Sequence, residues 1–183
     1  AEIGATEKGG CNRQALTDLD KQARDLWVQW VEEAGCDVRI DQMGNIFARR
    51  RGLDNGLPAV VTGSHIDTQP TGGKFDGVYG VLAGLEVMRS LNDHDISTRA
   101  PIEAVIWTNE EGARFSPAMV GSGVWCGEFS LEYGHGRRDK TGKTIEQELQ
   151  SIDYLGDEAC APYPIKGFIE LHIEQGPILE NEN

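Results

Sequence analysis

The sequence has no long apolar run, no paired cysteines and few basic residues, and each shortage removes a class of protein. No uninterrupted hydrophobic stretch approaches the ~20 residues needed to cross a bilayer. The segment Ala1 to Gly10 lacks the apolar centre of a signal peptide. The four cysteines, at 11, 36, 126 and 160, form no C-x-x-C pair and no regular spacing, which argues against a thiolate zinc site or a disulfide framework. They read as reduced thiols, and the expected compartment is the cytoplasm. Lys and Arg number 17 against 30 Asp and Glu, for a net charge of −13. Nucleic acid and anionic membrane both demand a positive surface, so neither is an expected partner. The Arg49-Arg50-Arg51 cluster reads as a solvated strand end. Internal repeats and low-complexity tracts are also absent.

What is there is 183 residues, 39% of them hydrophobic, enough for one domain with a real core. Thr17-Asp18 is a good N-cap, followed at helical spacing by Leu19, Ala23, Leu26, Trp27, Trp30, Val31 and Ala34, with Gly35 as the stop. Cys36 to Ile40 alternates as a strand, and after a Gly44-Asn45 turn Ile46 to Arg50 completes a hairpin. Ala59 to Thr62 reads as a central strand, Val78 to Leu91 as a helix with Val78, Leu82, Leu85 and Leu91 on its buried face, and Ile102 to Trp107 as another strand. Ser116 to Phe129 is irregular with some helix, and Tyr133 to Lys143 is a surface loop. Thr144 to Ile152 is a short helix whose Thr144 and Gln147 have capping-box spacing. Gly167 to Ile173 is the last strand. Strands alternating with helices give the α/β class, a mixed and partly parallel sheet flanked by helices.

Chemistry gathers at the ends of three predicted strands. Gly63 to Gly80, GSHIDTQPTGGKFDGVYG, places His65, Asp67 and Asp76 in a glycine-rich loop between a strand and a helix. Ile102 to Trp107 runs into Thr108-Asn109-Glu110-Glu111, and the last strand ends in His172-Ile173-Glu174-Gln175. Ligands of open α/β sheets bind at such carboxyl ends. A two-metal hydrolytic site needs a bridging carboxylate, terminal His or carboxylate ligands, and room for water. His, Asp and Glu without Cys suit zinc, manganese, cobalt or nickel alike. Asp67, two residues beyond His65, is placed to accept the second imidazole N–H. Of Glu110 and Glu111, one can ligate while the other acts as general base. His94 and His135 read as bystanders.

The motifs GSHIDTQPTGGKFDGVYGVLAGLE, WTNEEGARF and ELHIEQGPILE, with GGCNRQALTD and DQMGNIFARR, resemble the M20-type metal-dependent amidohydrolases of the hydantoinase/carbamoylase group. The resemblance runs over nearly the whole chain. It implies two divalent ions per site, with His65 and His172 as terminal ligands, Asp76 as the bridge and Glu111 on the second ion. Glu110 would be the base, Asp67 the residue orienting His65, and Gln175 a substrate contact. His172 stands where ordinary M20 peptidases tend to have an acid, which favours the carbamoylase branch.

The implied reaction is hydrolysis of an N-carbamoyl amino acid to amino acid, ammonia and carbon dioxide, by an N-carbamoyl-L-amino-acid hydrolase or β-ureidopropionase. Allantoate amidohydrolase shares the metal motifs, and a catalytically silent metal-binding or interaction module is a further alternative. Residues 1–183 are expected to be the N-terminal part of a catalytic domain, inactive alone. In the family a lid and dimerisation domain follows, and a return segment then brings a last histidine ligand and a substrate-gripping arginine. The expected full-length state is a homodimer.

Overall fold

Helix α1 (Asp18–Glu33) begins at its expected cap: in the computed structural model, which describes residues 1–182, the Thr17 side chain accepts from the Asp20 amide. Trp27 and Val31 are buried as the spacing requires, yet the same helix also buries Asp20 and Arg24. Arg24 Nε donates to Asp20 Oδ2 at 2.8 Å, and its remaining nitrogens reach the Gly44 carbonyl at 2.7 Å and Thr108 Oγ1 at 3.2 Å. A buried ion pair is tolerable only when its hydrogen-bonding capacity is used in this way.

Strands β1 (Asp37–Ile40) and β2 (Ile46–Arg50) form the expected antiparallel hairpin. With β3 (Ala59–His65), β4 (Ile102–Trp107) and β5 (Ile165–Ile169) they build one sheet of order β1-β2-β4-β3-β5. β2 runs antiparallel to β4, while β3 is parallel to both β4 and β5. The central strand is longer than expected and carries His65 itself. Gly63 makes that extension possible. Its φ is +142°, and a Cβ there would run into the Val105 backbone of β4.

Helix α2 (Val78–Asp93) crosses from β3 to β4. Its buried stripe is Gly80, Val81, Gly84, Leu85 and Met88, whereas Leu82 is exposed. Gly80 and Gly84 allow the close packing expected of them, a Cβ at Gly84 standing 3.0 Å from that of Ala104, and of the expected apolar stripe Leu82 is the one turned out. The principal core joins α1 and α2 to Met43, Ile46, Ala104 and Ile106. The opposite sheet face, with Phe47, Val61, Val105 and Trp107, packs against Trp125 and Tyr163.

Other expectations are corrected. The three arginines are paired, not merely solvated: Arg49 binds Glu103 at 2.5 Å, Arg50 binds Asn92 at 2.8 Å and Arg51 binds Asp37 at 2.7 Å. The predicted 133–143 loop overlaps a short helix, α4 (Leu131–His135), which follows α3 (Val120–Trp125). His135 stands outside the metal-capable cluster, as expected, but is tied to the fold: its Nε2 lies 2.8 Å from the Gln42 carbonyl. Helix α5 (Ile145–Ser151) has the full Thr144–Gln147 capping box. β5 stops at Ile169, so His172 lies beyond it in irregular chain, and Pro177–Glu182 forms an unpredicted helix, α6.

Just past the Glu110-Glu111 pair, Arg114 ties three segments together. Its Nη1 donates to the carbonyls of Ala15 (2.9 Å) and Leu16 (2.8 Å), and its Nη2 binds Asp139 at 3.1 Å and also Glu148. Desolvation works upward on the Asp139 carboxyl, but hydrogen bonds from Thr141, Arg114 and Lys143 outweigh it and hold it at about 2, from 3.8. A carboxyl depressed on folding stabilises the fold above its unfolded pKa, and that contribution disappears as pH falls through its folded one. Asp139→Asn is therefore expected to flatten the pH dependence of the urea midpoint between 3.8 and about 2 and to leave the slope nearer neutrality unchanged.

Candidate metal centre

Parallel pairing sets His65 opposite Trp107, so β3 and β4 end level with each other. One residue past Trp107, Thr108 is held by its amide, which donates to Asn45 Oδ1 at 2.9 Å, and by its hydroxyl, which accepts from Arg24. Asn109 then adopts the left-handed φ of +54°, anchored by its own Nδ2 on the Phe115 carbonyl at 2.8 Å. That turn swings Glu110 and Glu111 away from strand geometry and toward His65.

His65 is buried, and its Nδ1 lies 2.9 Å from the main-chain carbonyl of Asp67. A proton on Nδ1 satisfies that carbonyl and leaves the Nε2 lone pair free for a metal. Nε2 faces Glu110 Oε2 at 3.4 Å, His172 Nε2 at 3.5 Å and Asp76 Oδ1 at 3.8 Å. The ring is packed from behind by Gly77, which has φ +65° and where a Cβ would stand 2.5 Å from the imidazole. Asp76 precedes it, with Oδ1 3.4 Å from His172 Nε2 and Oδ2 accepting from Gln175 Nε2 at 2.6 Å. One potential ligand atom each from His65, Asp76 and His172 lies within 4.8 Å of the others.

Glu111 stands beside Asp76, and its Oε2 accepts from Gln69 Nε2 at 2.8 Å. Its Oε1 is buried without a hydrogen-bond partner among the described residues. Asp67 turns its carboxylate to the main chain of the neighbouring loop, accepting from the Glu110 amide at 3.1 Å and the Glu111 amide at 3.2 Å. Glu174 turns away and accepts from the Leu179 amide at 3.0 Å in α6.

The charges fit a divalent cation. Burial raises the Glu111 carboxyl, with Asp76 adding to the rise despite the bond from Gln69. Burial also pushes Asp67 up to about 6 against the opposing pull of His65. For His65 burial acts downward, but the carboxylates of Asp67 and Glu110 overcome it and raise the imidazole. Carboxylates crowded about two inward-facing imidazole nitrogens, one with a stranded buried oxygen, are the arrangement that a metal ion relieves. Nitrogen and oxygen donors without sulfur suit the borderline divalent ions.

Of the eight residues singled out in the sequence, Glu174 turns away to α6 and the other seven lie in or beside this cleft. His65, Asp76 and His172 form its centre, Glu110 and Glu111 its β4 side, Asp67 its floor, and Gln175 touches Asp76. Three supporting residues went unnoticed. Gln69 lay inside the DTQPTGG stretch and could have been found there. Asn45 looked like a turn residue, and Arg24 gave no signal at all.

Residues 61–183 match peptidase family M20/M25/M40. The chain belongs to that family. An N-carbamoyl-L-amino-acid amidohydrolase of Rhizobium meliloti is 53% identical over 183 residues, which are 100% of this M20 chain and 44% of the relative. An allantoate amidohydrolase of Bacillus subtilis is 35% identical over 182 residues, covering 98% and 44% respectively. The crystal structure of a hydantoinase/carbamoylase family amidase from Burkholderia multivorans matches with a TM-score of 0.98 at 65% identity, over 100% of this chain and 44% of that one. The M20 chain thus spans less than half the length of these relatives.

Because Gly77 both occupies left-handed backbone and backs the His65 ring, Gly77→Ala is expected to destabilise the fold by about 1–3 kcal/mol from strain alone. The same variant should shift the His65 ring resonances, whereas Gly9→Ala, also at positive φ but with open space around it, should leave them in place.

Proposed function

We propose that this M20 chain is the N-terminal part of the catalytic domain of a divalent-metal-dependent amidohydrolase that cleaves the ureido C–N bond of N-carbamoyl amino acids. The observation carrying this reading is the convergence of His65, Asp76 and His172 within 4.8 Å, with Glu110 3.4 Å from His65, in a chain 53% identical to a carbamoyl-amino-acid amidohydrolase. His65, His172 and Asp76 would hold metal, with Asp76 the carboxylate that two ions would share, and Glu111, with its stranded oxygen, would be a ligand to the second. Zinc, manganese, cobalt or nickel suits these donors. A bound pair supplies Lewis acidity to water and to the ureido carbonyl.

The chain's own residues do the rest. Glu110 accepts a proton from the attacking water and returns it to the departing nitrogen, for which its place at the edge of the cluster is suited. Gln175 contacts substrate, its Nε2 being held by Asp76 while its side-chain oxygen can face the ligand. In the longer protein, the family resemblance implies a last histidine ligand and a carboxylate-binding arginine from the return segment, and a homodimer. No helix among the described residues is long and apolar enough to cross a membrane. The unpaired thiols of Cys11, Cys36, Cys126 and Cys160 agree with the cytoplasm, and the net charge of −13 with a small-molecule partner and not nucleic acid or membrane.

The test uses the full-length protein with N-carbamoyl-L-amino acids and allantoate as rival substrates. Carbamoyl-amino-acid turnover should cease on chelation and return with added divalent ion. Glu110→Gln should lower kcat by about 10²–10⁴-fold, the range for loss of a general base, with bound metal retained. Preference for allantoate would reassign the substrate, and unchanged turnover in Glu110→Gln would remove the residue from the mechanism.

A further inference from the structure

Asp67 is buried, yet its carboxylate does not hydrogen-bond the histidine two residues before it. The closest approach, Oδ1 to His65 Nδ1, is 3.8 Å, beyond hydrogen-bond range. That nitrogen is already served by the Asp67 main-chain carbonyl at 2.9 Å. The two carboxylate oxygens are used elsewhere, one on the Glu110 amide at 3.1 Å and the other on the Glu111 amide at 3.2 Å. Consecutive N–H groups can converge on one anion where the backbone changes hand, and the left-handed Asn109, φ +54°, stands immediately before them.

We propose that Asp67 is a positioning residue for the Glu110-Glu111 pair: its carboxylate clamps both amides and so sets where the two side chains reach, while the orientation of His65 depends on the Asp67 carbonyl and not on its side chain. The proposal rests on the reading of Glu110 as base for its catalytic consequence, but not for its geometry. Asparagine offers one acceptor oxygen where aspartate offers two, and its NH2 would face a backbone N–H, donor to donor. The ring of His65 loses the field of a carboxylate 3.8 Å away but no hydrogen bond, so its tautomer is kept.

Asp67→Asn in the full-length protein separates the two roles. Amide hydrogen exchange at Glu110 or Glu111 should accelerate, while the His65 tautomer, read from its ¹⁵N ring shifts, and the bound metal per chain stay as in the parent. In the metal-loaded enzyme kcat should fall by about 10–100-fold, the usual effect of a supporting residue around a metal site, with little change in KM. An altered His65 tautomer, or both amides still protected in the variant, would overturn the proposal. If the variant does not fold, the parent protein decides by itself: slow exchange at both amides, with scalar coupling from them to the Asp67 carboxylate carbon, supports the clamp, and fast exchange or no coupling refutes it. Neither spectroscopic readout involves substrate. Failure of the parent to hydrolyse carbamoyl amino acids would therefore sink the proposed function and leave this inference standing.

Discussion

The level parallel pairing of β3 with β4 is the constraint from which the site follows. Parallel strands end on the same edge of a sheet, and the pairing of His65 with Trp107 puts the histidine and the Glu-Glu turn side by side. β5 does not keep level: its last pairing is Ile169 with Thr62, three residues short of His65. The third contributor must therefore be delivered by irregular chain. The difference is visible in how the two imidazoles are held. His65 has a side-chain exposure of 1% and is fixed by strand, carbonyl and Gly77, whereas His172 is 33% exposed. The sheet supplies the rigid half of the cluster, and the loop after β5 supplies the adjustable half.

Behind the cluster, buried polar groups converge on residues 108–111. Asn45 takes the Thr108 amide, Arg24 its hydroxyl, and Asp67 the next two amides in the chain after Asn109. The Met119 amide binds the Glu110 carbonyl at 2.7 Å. Each such bond, if broken, would strand a buried donor or acceptor at about 1–3 kcal/mol. The segment cannot shift without breaking several at once. A left-handed asparagine and two crowded acids are thereby kept in a conformation they would not adopt alone, which is the support a reactive constellation needs from its surroundings.

How far the sequence foretold this depends on whether the deciding contacts are local. The Thr17 cap, the β1–β2 hairpin and the Thr144–Gln147 box are short-range features, and they were legible. The meeting of His65, Asp76, Glu110, Glu111 and His172 was legible too, because the histidines and the Glu-Glu pair come after apolar runs, Asp76 opens the helix between the first two, and strand ends of one sheet share an edge. Arg24 was not, since its partners lie 20 and 84 residues away and an arginine in a helix ordinarily points to water. The end of β5 was hidden because Leu171 and Ile173 keep up the apolar character of Phe168 and Ile169 after the pairing stops. Pairing is a property of the partner, and β3 offers β5 nothing beyond Thr62. For Asp67 the spacing correctly put carboxylate and imidazole on one side. Spacing could not say which of the residue's two acceptors, carbonyl or carboxylate, the ring would meet.

That allocation shows how much one short segment does. In His65-Ile66-Asp67 the outer side chains face the cleft and Ile66 enters the core. The Ile66 carbonyl accepts from Arg13 Nε at 2.8 Å, and the Thr68 hydroxyl accepts from the Arg13 amide at 2.8 Å. Backbone and side chains are thus engaged in opposite directions, so the segment is held against both the N-terminal strap and the β4 loop. Its acidity has a local purpose as well. Asp67 acts on the His65 imidazole from 3.8 Å and also takes the amides of two further acids, whose side chains stand beside His65 and Asp76. Like charges so placed repel each other unless a cation lies between them. The fold spends its rigidity on keeping them there, and this is why the donor set points to a metal more strongly than any one of its residues does.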